Sequence, residues 1–159
     1  MGLDMYLTAE RYLGNYMNPN ERDLIIEALE GDHPPVRDTN PSATVQIDIA
    51  YWRKANAIDE WFVQNGQGGE DNCQKYFVSI AHLRSLVATC EGLLVKQDAE
   101  LAEAELPTAS GFFFGDTEYN EWYWQDLEDT VNQLRPVLDW FDADEKRRMQ
   151  WDLHYRSSW

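Results

Sequence analysis

Alternation of apolar and polar residues predicts strands in three parts of the chain. At the amino end Leu3, Met5 and Leu7 alternate with polar side chains, which is the pattern of a strand with one buried face. The same period of two recurs over 44–49 and over 149–155. We therefore predict a small antiparallel sheet, with the last of these strands added at its edge.

Apolar residues spaced by three and four positions predict four helices, two of them in the first half of the chain. The capping residues Asn18 and Pro19 start the first helix. The second is predicted to begin at Tyr51, directly after the strand over 44–49, and glycines from Gly66 onward end it. It would bury a stripe of Tyr51, Ala55, Ile58 and Phe62, with Trp52 and Trp61 beside the stripe.

The other two helices lie in the second half of the chain and are joined by a polar segment. Ser79 caps the third helix, after a short strand over 76–78. Residues 96–105 favour a solvated, helix-prone connector that Pro107 ends, and the fourth helix is expected to kink or end at Pro136. The predicted buried positions are Ile80, Leu83, Val87, Cys90 and Leu94 in the third helix, and Trp124, Leu127, Val131, Leu134 and Leu138 in the fourth.

These elements predict a single α+β domain over 1–159, in which a small antiparallel sheet packs with about four helices. The stretch over 32–42 contains three prolines and is expected to be a surface loop. Residues 143–159 are expected to be an added C-terminal strand or a tail.

The composition indicates a soluble, cytoplasmic protein without a cofactor. Of the 159 residues 43% are hydrophobic and 13% aromatic, which excludes a disordered chain, and no apolar run reaches the ~18 residues of a membrane span. The first residues lack the basic flank and long apolar core of a secretory signal. Cys73 and Cys90 are expected to be free thiols, and three scattered histidines offer no metal site.

The charge is strongly negative, with 29 acidic and 13 basic residues and a formal net charge of −16. Such a chain is repelled by nucleic acids and anionic membranes, because binding to phosphate polymers needs clustered Lys and Arg. We therefore expect no direct contact with nucleic acid or membrane. Two interpretations stay open: a surface that keeps an abundant protein soluble, or one that imitates a nucleic acid toward a basic protein partner.

An unusual density of aromatic rings marks residues 111–124, where seven rings fall within thirteen positions. The phenylalanine run between Gly111 and Gly115 predicts a short buried strand, and Asp116 or Thr117 predicts the start of a helix. A strand-to-helix turn presents backbone N–H groups and a positive helix end to a ligand. The alternative is that these rings form an aromatic core.

Two adjacent cations, Arg53 and Lys54, stand among aromatic and amide side chains in this acidic sequence. A guanidinium can bind phosphate, a ring face can stack on a base, and an amide can bind the base edge. This combination favours a nucleotide-like ligand, although exposed ion pairs on a helix face would explain the same residues. The carboxylates Asp116, Glu118, Glu121, Asp126 and Asp129 could supply an acid–base pair or a Mg²⁺ site if they converge in space, and are otherwise surface acids.

Three separated blocks of the sequence resemble a family of small bacteriophage and prophage proteins whose function is not established. The blocks are MGLDMYL at 1–7, AYWRKANAI at 50–58 and LPTASGFFFG at 106–115, and the likeness extends to about residue 138. The resemblance implies a protein that acts in the cytoplasm of a host cell, with the character of a counter-defence factor.

The residues and the resemblance together predict a non-enzymatic counter-defence protein that sequesters a small anionic ligand, such as a nucleotide or cyclic nucleotide signal. Arg53 and Lys54 would bind the phosphate. Trp52 and Tyr119 would stack on the base, and Asn56 would bind its edge. The other predicted site residues are Trp61, Phe113, Asp116 and Tyr123.

Two other classes of function stay open. One is an inhibitor of the anti-CRISPR or anti-restriction type, which displays acids as DNA does and occupies a basic surface of a host defence complex. The other is a carboxylate-based enzyme acting on a phosphorylated substrate.

Overall fold

A four-stranded antiparallel sheet and the helices packed on it form the fold in the computed structural model, which describes residues 2–14, 19–29, 32, 34, 42–111 and 114–159. The α+β class and the single domain are confirmed, and the described residues form six helices where about four are predicted. The elements in chain order are β1 (Asp4–Leu13), α1 (Pro19–Ala28), β2 (Ala43–Arg53), α2 (Asn56–Gly66), β3 (Tyr76–Phe77), α3 (Ile80–Lys96), α4 (Ala99–Glu105), α5 (Glu121–Asp142), α6 (Glu145–Gln150) and β4 (Asp152–Ser158).

The inner face of the sheet carries the apolar residues that the alternation predicts. Leu3, Met5 and Leu7 are fully buried. Met5 lies opposite Trp52 on β2 and opposite Ser157 on β4. The buried residues of α2, α3 and α5 join this face in one hydrophobic cluster. Removal of these side chains from water is the main force that holds the helices on the sheet.

The C-terminal strand lies inside the sheet, whose strand order is β2-β1-β4-β3, and not at its edge. β4 pairs with β1 on one side and with the short β3 on the other. Leu153 and Tyr155 on this strand are buried, so residues 152–158 form a strand of the sheet that contributes to the core. Residues 145–150, which directly precede the strand, form the additional helix α6.

The boundary between β2 and α2 differs from the prediction. β2 continues through Tyr51 and Trp52 to Arg53, and α2 begins only at Asn56. Pairing with β1 explains the difference, because it continues to the Asp4–Arg53 pair and overrides the local helical spacing. Tyr51 is therefore exposed on the sheet and forms no part of the predicted helix stripe. The other members of that stripe, Ala55, Ile58 and Phe62, are buried as predicted.

The two long helices, α3 and α5, follow the prediction closely. The Ser79 hydroxyl accepts a hydrogen bond from the His82 backbone N–H at 3.1 Å, which confirms the cap. α5 continues past Pro136 to Asp142. Pro136 lies on the exposed side, and the buried Leu134 and Leu138 on either side of it keep the helix packed. In α3 the buried stripe includes Leu86 and Leu93, whereas Ile80 and Leu94 pack at its margin.

The polar connector is confirmed as a helix, α4, capped by the Asp98 side chain. Its solvation is only partial, because Ala102 and Leu106 are buried. In the loop over 32–42, the described residues 32, 34 and 42 are exposed, and the other positions lie outside the described residues. Phe112 and Phe113 also lie outside them, and Phe114 belongs to no strand.

Candidate functional site

The junction between β2 and α2 forms the base of the candidate site. Lys54 follows the last residue of β2 and has a φ of 62°, in the left-handed region. Gly115 has a φ of 91°, and a Cβ built on it would lie 3.7 Å from the Lys54 carbonyl oxygen. The loop from Pro107 to Asn120 therefore approaches the junction closely at Gly115, where a glycine is favoured by the positive φ.

Asn56, the first residue of α2, attaches this loop to the helix. Its side-chain Nδ2 donates to the backbone oxygens of Phe114 at 3.1 Å and of Asp116 at 2.8 Å. Its Oδ1 accepts from the Ala109 backbone N–H at 3.2 Å. The amide that is predicted to bind a base edge is thus used to position the loop, and Asn56 is a positioning residue here.

The predicted stacking residue Trp52 belongs to the core. It is 3% exposed, and its indole N–H donates to the Thr130 hydroxyl on α5 at 2.9 Å. Trp61 is also buried and meets Phe62 edge to face, with ring centroids 5.4 Å apart. Both rings hold α2 and α5 against the sheet, and neither lines the cavity described below.

Tyr119 and Tyr123 hold the amino end of the same loop. Their rings meet edge to face with centroids 4.9 Å apart. The Tyr123 hydroxyl donates to the Leu106 backbone oxygen at 2.9 Å, and the Tyr119 hydroxyl accepts from the Thr108 backbone N–H at 3.4 Å. Desolvation raises the pKa of Tyr123, so its hydroxyl stays protonated and keeps its role as a donor.

A cavity of about 370 Å³ opens between the junction, the loop and the start of α5. We call it the Arg53 cavity. Of the predicted site residues, Trp52, Trp61 and Tyr119 do not line it, and Phe113 lies outside the described residues. Those that do line it are Arg53, Lys54, Asn56, Asp116 and Tyr123, and further lining groups are Thr108, Glu118, Trp122 and Asp126.

The two cations of the Arg53 cavity form no close ion pair with a described carboxylate. The Arg53 side chain is 64% exposed, and its Nε lies 3.9 Å from Asp4 Oδ1, at the limit of an ion pair. Lys54 is exposed and forms no ion pair within the described part of the chain. By contrast, Arg84 binds Asp142 through both guanidinium nitrogens. Arg53 and Lys54 are therefore available to an anion.

Trp122 and Asp126 face the Arg53 cavity from α5. Trp122 is 67% exposed although its indole is large and apolar. Asp126 is half-buried, and its carboxylate has no hydrogen bond to any described residue. Burial, with a smaller effect from the charge of Asp129, raises the pKa of Asp126 from 3.8 to about 7. Such a carboxyl group can either donate or accept a hydrogen bond near neutral pH.

Sequence reasoning missed Trp122 and did not separate Asp126 from the neighbouring acids. The available signal was their spacing of four positions, which places two side chains on one face of a helix. Asp116 has a local role, because its carboxylate accepts from the Glu118 backbone N–H at 2.9 Å and from the Asn120 amide. Asp116 thereby shapes the loop ahead of α5.

The carboxylates do not converge on a metal site. Within the described ranges, no group of three or more His, Cys, Asp or Glu side chains has the arrangement needed to hold a metal ion. The free thiols differ in exposure, since Cys90 is buried and Cys73 is partly exposed. Among the helices of the described residues, none combines the length and apolar character needed to cross a membrane.

No family model, curated protein or solved structure matches this chain. The resemblance to bacteriophage proteins therefore stays a prediction. What the arrangement can do chemically follows from the cavity itself. Two available cations, one exposed indole and the carboxyl groups of Asp116, Glu118 and Asp126 surround a space large enough for a small organic ligand.

Proposed function

We propose that this protein binds and sequesters a small anionic ligand with a planar ring, such as a nucleotide or cyclic nucleotide, in the Arg53 cavity. The observation that carries the proposal is the convergence of Arg53, Lys54 and Trp122 on one cavity of about 370 Å³. Small-molecule sites have volumes of about 300–1,000 Å³, and this cavity falls at the lower end of that range.

Arg53 and Lys54 supply the anion-binding side of the cavity. Arg53 offers a planar fork of N–H donors, and Lys54 offers a compact charge. Because the protein carries a net charge of −16, most of its surface repels an anionic ligand. Two adjacent cations without a strong ion pair are therefore the place where such a ligand is held.

Trp122 supplies a stacking surface in place of Trp52 and Tyr119. Its indole is 67% exposed at the cavity, so a base can cover it without displacing another side chain. Stacking of a base on an aromatic ring contributes about 1–3 kcal/mol. Because of this planar face, we expect a heteroaromatic ligand to bind more tightly than phosphate alone.

The resemblance to bacteriophage proteins supports a counter-defence role, in which sequestration removes a nucleotide signal of the host. Inhibition by DNA mimicry is the second candidate, and one observation favours it. Glu100, Glu103 and Glu105 on α4 are exposed, and none of them forms an ion pair with another described residue. A row of unpaired acids of this kind attracts a basic protein surface.

Thermal-shift and calorimetric measurements with nucleotides and cyclic nucleotides test the proposal. We expect Arg53→Ala to weaken binding more than about tenfold, as loss of a charge-assisted hydrogen bond does. Arg156→Ala is the matched control, because Arg156 is exposed on β4 and does not line the Arg53 cavity. Absence of stabilisation by any nucleotide would contradict the proposal. Loss of inhibition in a variant with Glu100, Glu103 and Glu105 changed to Lys would instead support mimicry.

A further inference from the structure

We infer that the Arg53 cavity selects guanine nucleotides, because the Asp126 carboxylate is placed to accept two hydrogen bonds from the N1–H and N2–H groups of a base stacked on Trp122. The inference rests on the proposed function and adds the identity of the base. It follows from three features of the cavity: the position of Asp126 next to Trp122, the position of the cations, and the acceptor character of a carboxylate.

Trp122 and Asp126 lie one turn apart on α5, and both line the Arg53 cavity. Side chains four positions apart lie on the same face of a helix, with Cβ atoms about 6 Å from each other. A purine that covers the Trp122 indole therefore has its edge near the Asp126 carboxylate. The face of the base then contacts the exposed indole, and its edge contacts the half-buried carboxylate.

The cations come from the β2–α2 side of the cavity, whereas Asp126 comes from α5. Among the described residues, neither Arg53 nor Lys54 forms an ion pair with Asp126. A ligand that satisfies both sides must carry an anion at one end and hydrogen-bond donors at the other. A nucleotide has this arrangement, with phosphate and base at opposite ends of the sugar.

The acceptor character of the carboxylate distinguishes among bases. An ionised Asp accepts hydrogen bonds and donates none. Guanine presents two adjacent N–H donors, which match the two carboxylate oxygens. Adenine and cytosine each present one donor beside a ring nitrogen that is itself an acceptor. Binding of either would leave one carboxylate oxygen facing a lone pair, and a partly buried polar group without a partner weakens binding strongly.

Isothermal titration calorimetry of the full chain with GMP, IMP and AMP tests the inference at about pH 8, where Asp126 is mostly ionised. We expect GMP to bind at least about tenfold more tightly than AMP. IMP should lie between them, because it keeps N1–H and lacks the 2-amino group. Equal affinities for GMP and AMP would overturn the inference and leave the proposed function standing. Absence of binding by all three would overturn the inference, and the proposed function would fall with it only if the cyclic nucleotides of the thermal-shift panel also gave no stabilisation.

The Asp126→Asn variant tests the role of the carboxylate. A carboxamide has one acceptor and one donor, so we expect the preference for GMP over AMP to fall to about twofold or less while AMP still binds. Asp139→Asn is the matched control, because it removes a carboxylate from an exposed α5 residue that neither lines the Arg53 cavity nor shifts the pKa of Asp126. A preference that survives in Asp126→Asn, or that is lost in Asp139→Asn, would overturn the assignment to Asp126.

Discussion

The Tyr155 hydroxyl donates a hydrogen bond to the Asp59 carboxylate across 2.5 Å inside the protein core. Asp59 is 1% exposed and Tyr155 is fully buried. The Tyr155 ring also stacks on Phe62, with centroids 3.9 Å apart, so the bond and the stack together join β4 to α2. Burial raises the pKa of Asp59 to about 6, with a smaller raising effect from the charge of Asp71, and the Tyr155 hydrogen bond opposes the rise.

Asp59 makes the stability of the fold depend on pH. Its pKa is about 6 in the folded chain against 3.8 ordinarily, so the folded state binds the proton more tightly. The stabilisation is complete below about pH 4 and is lost as the pH rises through 6, and it amounts to about 3 kcal/mol. We expect Asp59→Asn, which keeps an acceptor for Tyr155, to gain stability over the wild type at about pH 8 and not at about pH 4. Urea unfolding at both pH values measures this.

The control for Asp59→Asn is Glu128→Gln, which removes an exposed carboxylate on α5 that is not among the groups that raise the pKa of Asp59. This variant should change the free energy of unfolding by less than about 0.5 kcal/mol at either pH. A stability difference between Asp59→Asn and the wild type that is the same at both pH values would contradict the assignment of the pH dependence to Asp59.

Asn56→Asp should loosen the loop that closes the Arg53 cavity. The substitution keeps the size of the side chain but replaces two N–H donors by an oxygen that faces the Phe114 and Asp116 carbonyls. Loss of these two part-buried hydrogen bonds costs about 1–3 kcal/mol. We expect faster proteolysis within 107–120 and weaker nucleotide binding. Asn65→Asp is the control, since the side-chain hydrogen bond that Asn65 forms among the described residues lies within α2, and equal effects of both variants would contradict the role of Asn56.

Substitution of Trp52 should mainly lower the stability of the fold, whereas substitution of Trp122 should mainly lower the affinity for a nucleotide. Trp52→Phe removes the donor to the Thr130 hydroxyl and part of a buried ring, and should cost about 1–3 kcal/mol of stability. Trp122→Ala should change stability by less than about 0.5 kcal/mol and weaken nucleotide binding about tenfold or more. Chemical denaturation and calorimetry on the same samples separate the effects. A binding loss confined to Trp52→Phe would restore Trp52 as the stacking residue.

A chain that ends at Trp151 should not fold. It would lack β4, so β1 would lose its partner on one side and the core would lose Leu153 and Tyr155. A chain that lacks only Trp159 should fold with a modest loss of stability, because it loses one exposed hydrogen bond to Asp71 and an edge contact with Phe114. Near-ultraviolet circular dichroism and urea unfolding test both. A cooperative unfolding transition in the chain ending at Trp151 would show that β4 is dispensable.

Local patterning alone identified most of the elements. The alternation of Leu3, Met5 and Leu7 predicted β1 and its buried face, and Ser79 predicted the start of α3, as the structure confirms. Both signals are local: a strand repeats every two residues, and a helix cap needs only the N–H groups of the next turn. The same local rules placed the start of α2 at Tyr51. This prediction is wrong, because local rules take no account of pairing between β2 and β1.

Part of the candidate site could be predicted from the sequence. Arg53 and Lys54 were identified because two adjacent cations stand out in a chain of net charge −16, and both line the Arg53 cavity. The roles of Trp52, Trp122 and Asn56 could not be predicted from the sequence. Trp52 and Trp122 have the same chemistry, and only their packing makes one a core residue and the other a cavity wall.

The sequence by itself determined the periodic elements, the acidic surface and the pair of cations, since each depends on residues close together in the chain. Tertiary structure alone decided that β4 lies between β1 and β3, that Asn56 holds the loop, and that Asp126 faces a cavity. Strand order, burial and pKa depend on groups that are distant in sequence, such as Leu7 and Tyr155 on paired strands. Desolvation by such distant groups is what turns one of many surface carboxylates into an uncommitted acceptor.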